Sequence, residues 1–114
     1  MHELSIASSI LDAVRNELDK RPGARISKVG VRIGALSGVE PDALSFGFGA
    51  LVQGSALDPL TLEIECVPRS QRCPACEITF EVKDEGLACP QCARPETLLA
   101  GGDELDIAYL EVEE

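Results

Sequence analysis

Four cysteines in two closely spaced pairs are the residues of this sequence whose types and spacing best suit metal binding. They are Cys73, Cys76, Cys89 and Cys92, and together they read C-x2-C-x12-C-x2-C. A proline follows the first cysteine of each pair, which favours a tight turn that directs two sulfurs to one centre and lets backbone N–H groups support the thiolates. Two such turns supply four soft ligands, as tetrahedral Zn²⁺ prefers. The spacing therefore predicts a structural zinc site, because four thiolates leave no open position for a catalytic water.

The segment between the two cysteine pairs predicts a small ribbon. Residues 78–82 alternate in polarity, residues 83–86 form a turn and residues 87–88 lead back, which is typical of a two-stranded zinc ribbon. The module has too few apolar residues to fold without help, and metal binding must therefore stabilise it. Iron in a rubredoxin-like site, redox-active cysteines and four unligated thiols are the competing interpretations, and each fits the paired spacing less well.

The single histidine, His2, is a second candidate ligand. Taken alone, such a histidine is usually an exposed side chain without a specific task. The α-amine of Met1, the backbone nitrogen of His2 and its imidazole Nδ1 can nevertheless close two chelate rings in one plane, which favours Ni(II) or Cu(II) over Zn(II). A fourth donor could come from Glu3 or from an acid brought close by the fold. Glu40 is a candidate, although its position before Pro41 also suits a charge at a helix N-terminus.

Two helices are predicted to position these groups. Apolar residues recur at steps of three and four over residues 4–18, and Pro22-Gly23 ends that helix. Pro41 suits the first turn of a second helix, which Gly54 is placed to end. The expected buried stripe of the second helix is Leu44, Phe48 and Leu51. Its two internal glycines, Gly47 and Gly49, suggest close packing against a sheet.

Three strands are predicted beside the helices. Residues 26–33 and 60–66 alternate as half-buried strands, and the second places Cys66 among core aliphatic residues as a buried thiol. Residues 104–113 are strand-like again, but their apolar phase shifts, which indicates either burial on both faces or a bulge. The hinge-like pair Gly101-Gly102 before this strand could permit strand exchange between protomers, so both a monomer and a homodimer stay open.

The order of elements predicts an α+β fold, since the last strand most simply returns to the first sheet. We expect a small mixed domain of two helices on a three-stranded sheet, formed by residues 1–68 plus 101–114. A zinc-ribbon domain, residues 69–100, is inserted before the last strand.

Composition excludes several functional classes. The formal net charge is −10, with acids outnumbering bases two to one, so binding to nucleic-acid phosphates is not expected. No apolar run reaches the ~20 residues that a membrane span needs, and the first residues have no cationic region of a signal peptide. A cytoplasmic location is therefore expected. No catalytic triad, phosphate-binding loop or paired-carboxylate site stands out, so an enzyme is not expected.

Several motifs in collinear order resemble the HypA/HybF family of nickel metallochaperones for [NiFe]-hydrogenase maturation. They are the initial Met-His-Glu-Leu-Ser, residues 32–41 (RIGALSGVEP), the two CPxC pairs, residues 102–105 (GDEL) and residues 111–113 (EVE). One departure concerns the residues after each second cysteine, where glycine is common in zinc knuckles and this chain has Glu77 and Ala93.

The resemblance implies a function and a ligand set. It implies that Ni²⁺ is bound as cargo at the amino terminus through Met1, His2 and Glu3, with Glu40 near that site, and that Zn²⁺ is structural. It also implies a partner GTPase, HypB, delivery of nickel to the hydrogenase large subunit precursor and, in some bacteria, service to urease maturation. The alternative is a zinc-ribbon adaptor that mediates protein–protein interaction without nickel transfer.

Overall fold

The computed structural model describes residues 3–83 and 86–114. Within these ranges the chain forms two helices and two three-stranded sheets. The elements in chain order are α1 (Glu3–Asp19), β1 (Arg25–Gly34), α2 (Pro41–Val52), β2 (Thr61–Val67), β3 (Ser70–Cys73), β4 (Ile78–Glu81), β5 (Leu98–Gly101) and β6 (Leu105–Glu113). Neither described helix is long and apolar enough to cross a membrane.

The first sheet has the strand order β2-β1-β6. β1 runs parallel to β2, with α2 in the crossover between them, and antiparallel to β6. Because β6 follows the four-cysteine segment, the chain leaves this sheet after β2 and returns to it at its end. The predicted α+β fold, two helices with a three-stranded sheet and a four-cysteine module before the last strand, is confirmed.

The helices and the first sheet share one aliphatic core. α1 buries one face at helical spacing, and β1 contributes its alternate residues Val29, Val31 and Ile33. On α2 the buried stripe runs Leu44, Phe48, Val52. The prediction of Leu51 in this stripe is wrong, because the stripe advances by four residues at each step and leaves Leu51 38% exposed. Burying each such side chain contributes about 1.5–3 kcal/mol, so this core sets the positions of both helices.

The two glycines inside α2 have different surroundings. A Cβ on Gly47 would lie 3.3 Å from Cδ1 of Leu4, so this glycine allows α2 to approach the first turn of α1. A Cβ on Gly49 would have no neighbour within 4 Å. The prediction that both glycines pack against the sheet is therefore wrong: one faces α1, and the other faces open space.

A bulge explains the shifted apolar phase of the last strand. Tyr109 lies opposite Gly30, but the next residue of β1, Val31, lies opposite Ile107, so Ala108 has no partner in the register. The extra residue moves the core-facing apolar positions of β6 from odd-numbered residues before the bulge to even-numbered residues after it. The bulge interpretation is confirmed, and it keeps Leu110 and Ile107 on the face of Val29 and Val31.

The face of the first sheet opposite the core is polar and charged. Arg32 makes two hydrogen bonds of 3.0 Å to the Asp106 carboxylate, and Lys28 lies 3.6 Å from the Glu63 carboxylate. The Tyr109 ring covers Gly30, where any Cβ would overlap it, and the Tyr109 hydroxyl donates a hydrogen bond to Glu63.

Cys66 does not lie in the core. It faces the same side as Leu62 and Ile64, but it lies opposite Ile33 near the end of β2. There it lines an open cavity of about 290 Å³ and its side chain is exposed. The prediction of a buried thiol is wrong because the alternation of the strand continues beyond the area that the helices cover.

The second sheet differs from the predicted two-stranded ribbon. Its order is β4-β3-β5, with both outer strands antiparallel to β3. Residues 87–88 form no strand. β3 and β5 have four residues each, which is too short for alternation to be visible in a sequence. The prediction that residues 87–88 pair with β4 is therefore wrong.

Gly101 and Gly102 connect the two sheets as a fixed junction. Both are buried, and Gly102 has φ of 111°. The Gly102 N–H donates to the Glu104 carboxylate at 2.8 Å, and its carbonyl accepts from Leu36 N–H at 2.7 Å. A Cβ on Gly102 would lie 2.6 Å from Cα of Arg69. Close packing and hydrogen bonds therefore hold Gly102 in place within the chain, and strand exchange between protomers stays a prediction.

Candidate metal centre

The four paired cysteines come together at one point of the second sheet. Cys73 is the last residue of β3, and the other three lie in the turns that follow β3 and precede β5. Their four Sγ atoms all lie within 4.8 Å of one another. The Cys73 and Cys92 sulfurs are 3.7 Å apart, and those of Cys76 and Cys89 are 4.0 Å apart. Among residues 3–83 and 86–114 this is the one group of three or more cysteine, histidine or acidic side chains with metal-binding spacing.

These sulfur separations fit a single tetrahedral ion. Zn–S bonds are about 2.3 Å long, so the sulfurs of a tetrahedral site lie about 3.8 Å apart. The observed 3.7 and 4.0 Å match that edge, whereas a disulfide would need about 2.05 Å. Four thiolates occupy every position of such an ion. The centre therefore suits a structural metal and has no vacant coordination position for a substrate.

Both cysteine pairs have the same backbone turn. The N–H of Cys76, three residues after Cys73, donates to the Cys73 sulfur, and the N–H of Gln91, two residues after Cys89, donates to the Cys89 sulfur, each at 3.4 Å. The N–H groups of Glu77 and Ala93 donate to the carbonyls of Cys73 and Cys89, each at 2.8 Å. These contacts supply the N–H support for the thiolates that the sequence led us to expect.

Glu77 and Ala93 hold the positions where zinc knuckles often have glycine. Their φ angles are 57° and 64°, so both residues adopt the left-handed conformation despite their side chains. This conformation costs roughly 1–2 kcal/mol for a residue other than glycine. The two turns of this chain thus share one backbone geometry without glycine, and a metal that crosslinks both turns can offset the cost.

The two thiols of the first cysteine pair have opposite pKa shifts. The backbone N–H of Cys76 lowers the pKa of Cys73 to about 7, because it stabilises the thiolate. The adjacent Cys92 sulfur, followed by burial and the remaining sulfurs, raises the pKa of Cys76 to about 12. The Cys73 thiolate therefore forms readily, whereas the Cys76 thiolate forms only when a cation compensates the charge of its neighbours.

A buried polar chain beneath the centre positions β3 against the loop before β5. Gln71 is buried; its amide donates to Oγ1 of Thr97 at 3.1 Å, and that hydroxyl donates to the Leu87 carbonyl at 2.6 Å. Arg69 donates to Oε1 of Gln71 at 3.3 Å. Sequence reasoning missed these residues. A glutamine two positions before the first cysteine carries no pattern that distinguishes it from a surface residue.

The proposed amino-terminal ligands are partly described. Met1 and His2 lie outside the described residues, so the prediction of a chelate by their nitrogens is not tested by the structure. Glu3 begins α1, and its carboxylate accepts a hydrogen bond of 3.0 Å from the Glu40 backbone N–H. Glu40 is the N-cap of α2, and its carboxylate accepts from Asp42 N–H at 3.4 Å. The fold thus brings together Glu3 and Glu40, which are far apart in the sequence.

Comparison with known families identifies the chain. A family model described as "Hydrogenase/urease nickel incorporation, metallochaperone, hypA" matches residues 1–112. The chain belongs to the HypA family.

Curated relatives support this assignment over the full length. The chain is 39% identical to the hydrogenase maturation factor HypA of Roseiflexus sp. (strain RS-1), over 100% of this chain and 94% of the relative. It is 37% identical to HypA of Chlorobium limicola, over 100% and 98%. It is 34% identical to HypA of Methylocella silvestris, over 99% and 100%.

Solved structures share the fold. The solution structure of the Ni metallochaperone HypA from Helicobacter pylori superimposes with a TM-score of 0.64 at 23% identity, covering 97% of each chain. A second solution structure of a HypA protein gives a TM-score of 0.71 at 23% identity, covering 97% of this chain and 95% of the other. The family is one of metallochaperone maturation factors for nickel incorporation, and its members are not catalytic enzymes.

Proposed function

We propose that this HypA-family chain captures Ni(II) at its amino terminus and delivers it for [NiFe]-hydrogenase maturation. The ligands are the amine of Met1, the backbone and imidazole nitrogens of His2, and Glu3, with Glu40 as a neighbouring acid. The observation that carries the proposal is the hydrogen bond from the Glu40 backbone N–H to the Glu3 carboxylate, which joins the first residue of α1 to the N-cap of α2. Planar nitrogen donors with an acid nearby suit Ni(II).

The position of these carboxylates between two helix starts affects nickel affinity. α1 begins at Glu3 and α2 begins at Pro41, so the positive ends of both helix dipoles lie near Glu3 and Glu40. Such ends stabilise ionised carboxylates and disfavour a cation. The two acids oppose this repulsion, and such a balance of opposing charges suits a carrier that must release its cargo. Below roughly pH 6 the imidazole of His2 takes up a proton, and nickel affinity falls.

We infer that the four-cysteine centre holds Zn²⁺ as a structural ion. The fit of the sulfur separations to a tetrahedron and the set of four thiolate donors support this assignment. The bound ion crosslinks the turns at the ends of β3 and β5. An iron-containing centre would be coloured and redox-active, so absorption spectra and metal analysis of the purified protein distinguish the two.

The two sheets support the proposed division of the chain into domains. β1, β2 and β6 belong to residues 1–68 plus 101–114, the nickel-binding domain, and β3 and β4 belong to residues 69–100, the zinc-ribbon domain. β5 ends at Gly101, so the second boundary falls at its last residue.

We further propose the GTPase HypB and the hydrogenase large subunit precursor as partners, in the cytoplasm, with urease maturation proteins as additional recipients. The family description names hydrogenase and urease, which supports the hydrogenase and urease recipients, and HypB and the cytoplasmic location follow from the sequence expectations. Nickel leaves the chain when a partner offers better ligands.

Metal analysis of matched variants tests the two sites separately. His2→Ala should lose nickel binding at neutral pH and retain zinc. Cys73→Ala should lose zinc, while the control Cys66→Ala should retain it, because Cys66 is exposed and lies outside the four-sulfur group. Unchanged tight nickel binding in His2→Ala refutes the nickel assignment and leaves the adaptor alternative. Full zinc content in Cys73→Ala contradicts the four-thiolate site.

A further inference from the structure

The outer face of α2 presents an exposed aromatic ring on a helix with almost no charge. Phe46 is 81% exposed, although the whole chain has only three phenylalanines and one tyrosine. Asp42 and Ala50 lie one turn before and after it on the same side of the helix. Asp42 is the single charged residue of α2. Since 26% of the residues in the chain are charged, a solvent-exposed helix face with one charged residue and an exposed aromatic ring is unusual.

The first turn of α1 extends this apolar area toward Glu3. Leu4 is 55% exposed and lies against Gly47 of α2, with Cδ1 3.3 Å from the position of a Cβ there. Leu4 follows Glu3 directly, so the apolar face and the Glu3–Glu40 contact are neighbours. We call the surface formed by Leu4, Ala43, Phe46, Gly49 and Ala50 the Phe46 face.

The charged residues that border the Phe46 face are acids, since Asp42 lies one turn before Phe46 and Glu3 directly precedes Leu4. The chain has no lysine or arginine between Arg32 and Arg69. Within that interval Glu40 and Asp42 are the acids at the start of α2. Of the ion pairs among the described residues, none includes Glu40 or Asp42. A partner that covers this face therefore gains from lysine or arginine at its rim.

Gly49 adds an independent indication of close approach. A glycine inside a helix costs about 1 kcal/mol relative to alanine, and no intramolecular contact requires it here, because a Cβ would meet nothing within 4 Å. Gly47 has such a reason in Leu4, whereas Gly49 has none within the described chain. A partner whose side chain or backbone comes close to the helix axis would require the absence of a Cβ.

We propose that the Phe46 face is the docking surface for the protein that exchanges nickel with this chain, and that this partner presents an apolar pocket bordered by lysine or arginine. The inference deepens the proposed function, on which it rests, because docking at Leu4 and Phe46 brings the partner next to the amino-terminal ligands. A second copy of this chain is a poorer occupant: each copy carries a net charge of −10, and a symmetric contact would oppose the acids of both.

Binding measurements with a matched pair of variants test this docking surface. Phe46→Ser removes the exposed ring, and Leu98→Ser removes a similarly exposed apolar side chain, 60% accessible, from β5 of the other sheet. The probes are purified HypB and the hydrogenase large subunit precursor, titrated against zinc-loaded protein by calorimetry. Phe46→Ser should weaken binding to at least one probe by tenfold or more, as for an aromatic anchor. Leu98→Ser should bind within twofold of the original chain.

Several other results of these measurements would contradict the docking surface or part of it. Binding by Phe46→Ser equal to the original, or an equal loss in Leu98→Ser, overturns the docking surface. Binding that does not weaken between 0.05 and 0.5 M salt overturns the basic rim of the partner. If light scattering shows a dimer that Phe46→Ser dissociates, a second copy covers the face and the inference is wrong.

Nickel titration of the same variants separates this inference from the proposed function. Phe46→Ser should bind nickel as the original chain does. Loss of nickel binding in this variant would place Phe46 in the nickel site and overturn a docking role. Failure of the original chain to bind nickel at its terminus removes the proposed function, while the partner titrations still report whether the face is a docking surface.

Discussion

Gly102 connects the two sheets in a conformation and a space that only glycine fits. Its φ of 111° lies in the region that L side chains rarely adopt, and a Cβ would lie 2.6 Å from Cα and 3.2 Å from the nitrogen of Arg69. Gly102→Ala is therefore expected to destabilise the protein by two separate effects. The backbone conformation costs about 1–2 kcal/mol, and crowding against a neighbouring backbone costs about 1–3 kcal/mol. The sum is about 2–5 kcal/mol.

Gly23→Ala is the matched control for the first effect. Gly23 has φ of 84°, but a Cβ there would meet nothing within 4 Å. It should therefore cost only the conformational part, about 1–2 kcal/mol. The difference between the variants measures the crowding at the junction together with the extra cost of φ at 111° over φ at 84°.

Urea unfolding of zinc-loaded protein, followed by circular dichroism, measures both free energies of unfolding. The structure predicts that Gly102→Ala lowers the free energy of unfolding by at least 1 kcal/mol more than Gly23→Ala does. Equal losses in the two variants would refute the close packing of Gly102 against Arg69 and would restore the interpretation of this pair as a hinge.

Three further predictions concern single side chains. Ala93→Gly should raise the free energy of unfolding of the metal-loaded protein by about 1 kcal/mol, since φ at this position is 64°; no gain in urea unfolding contradicts the strained turn. Gly49→Ala should stabilise the chain by about 1 kcal/mol, whereas Gly47→Ala should gain less because its Cβ meets Leu4 at 3.3 Å; equal thermal shifts for the two would contradict this difference. The hydrogen bond from Tyr109 lowers the pKa of Glu63, so Tyr109→Phe should raise that pKa toward its ordinary value in an NMR titration. Because the folded-state pKa of Glu63 is depressed, its stabilisation is present above the unfolded pKa and lost as pH falls through the folded pKa; an unchanged Glu63 titration in Tyr109→Phe contradicts the role of this hydrogen bond.

The sequence predicted the parts of the fold that rest on long periodic patterns. The helical stripe of α1 and the alternation of β1 extend over many residues, and the structure confirms both. The shift of apolar phase within residues 104–113 predicted either burial on both faces or a bulge, and the register of β6 confirms the bulge. The four cysteines lie together because their ligand chemistry requires it.

The sequence analysis failed at residues whose burial depends on contacts with distant segments of the chain. Cys66 continues the alternation of β2 but lies beyond the helices that would cover it, and no local pattern reports where that cover ends. In the sequence, Gly102 looks like a flexible glycine in a loop. In the structure it is closely packed, because Arg69 lies against it and the Leu36 N–H donates a hydrogen bond to its carbonyl. Gln71 likewise becomes buried through Thr97, which lies 26 residues away.

Capping the amine of Met1 tests the central claim most directly. Zinc-loaded protein with a free amine and the same protein with an acetylated amine have identical side chains, and each is titrated with Ni(II) by calorimetry at neutral pH. We expect one nickel ion per chain with the free amine and loss of that binding after acetylation, with zinc content unchanged. Equal nickel affinity in the two forms would contradict capture of nickel at the amino terminus.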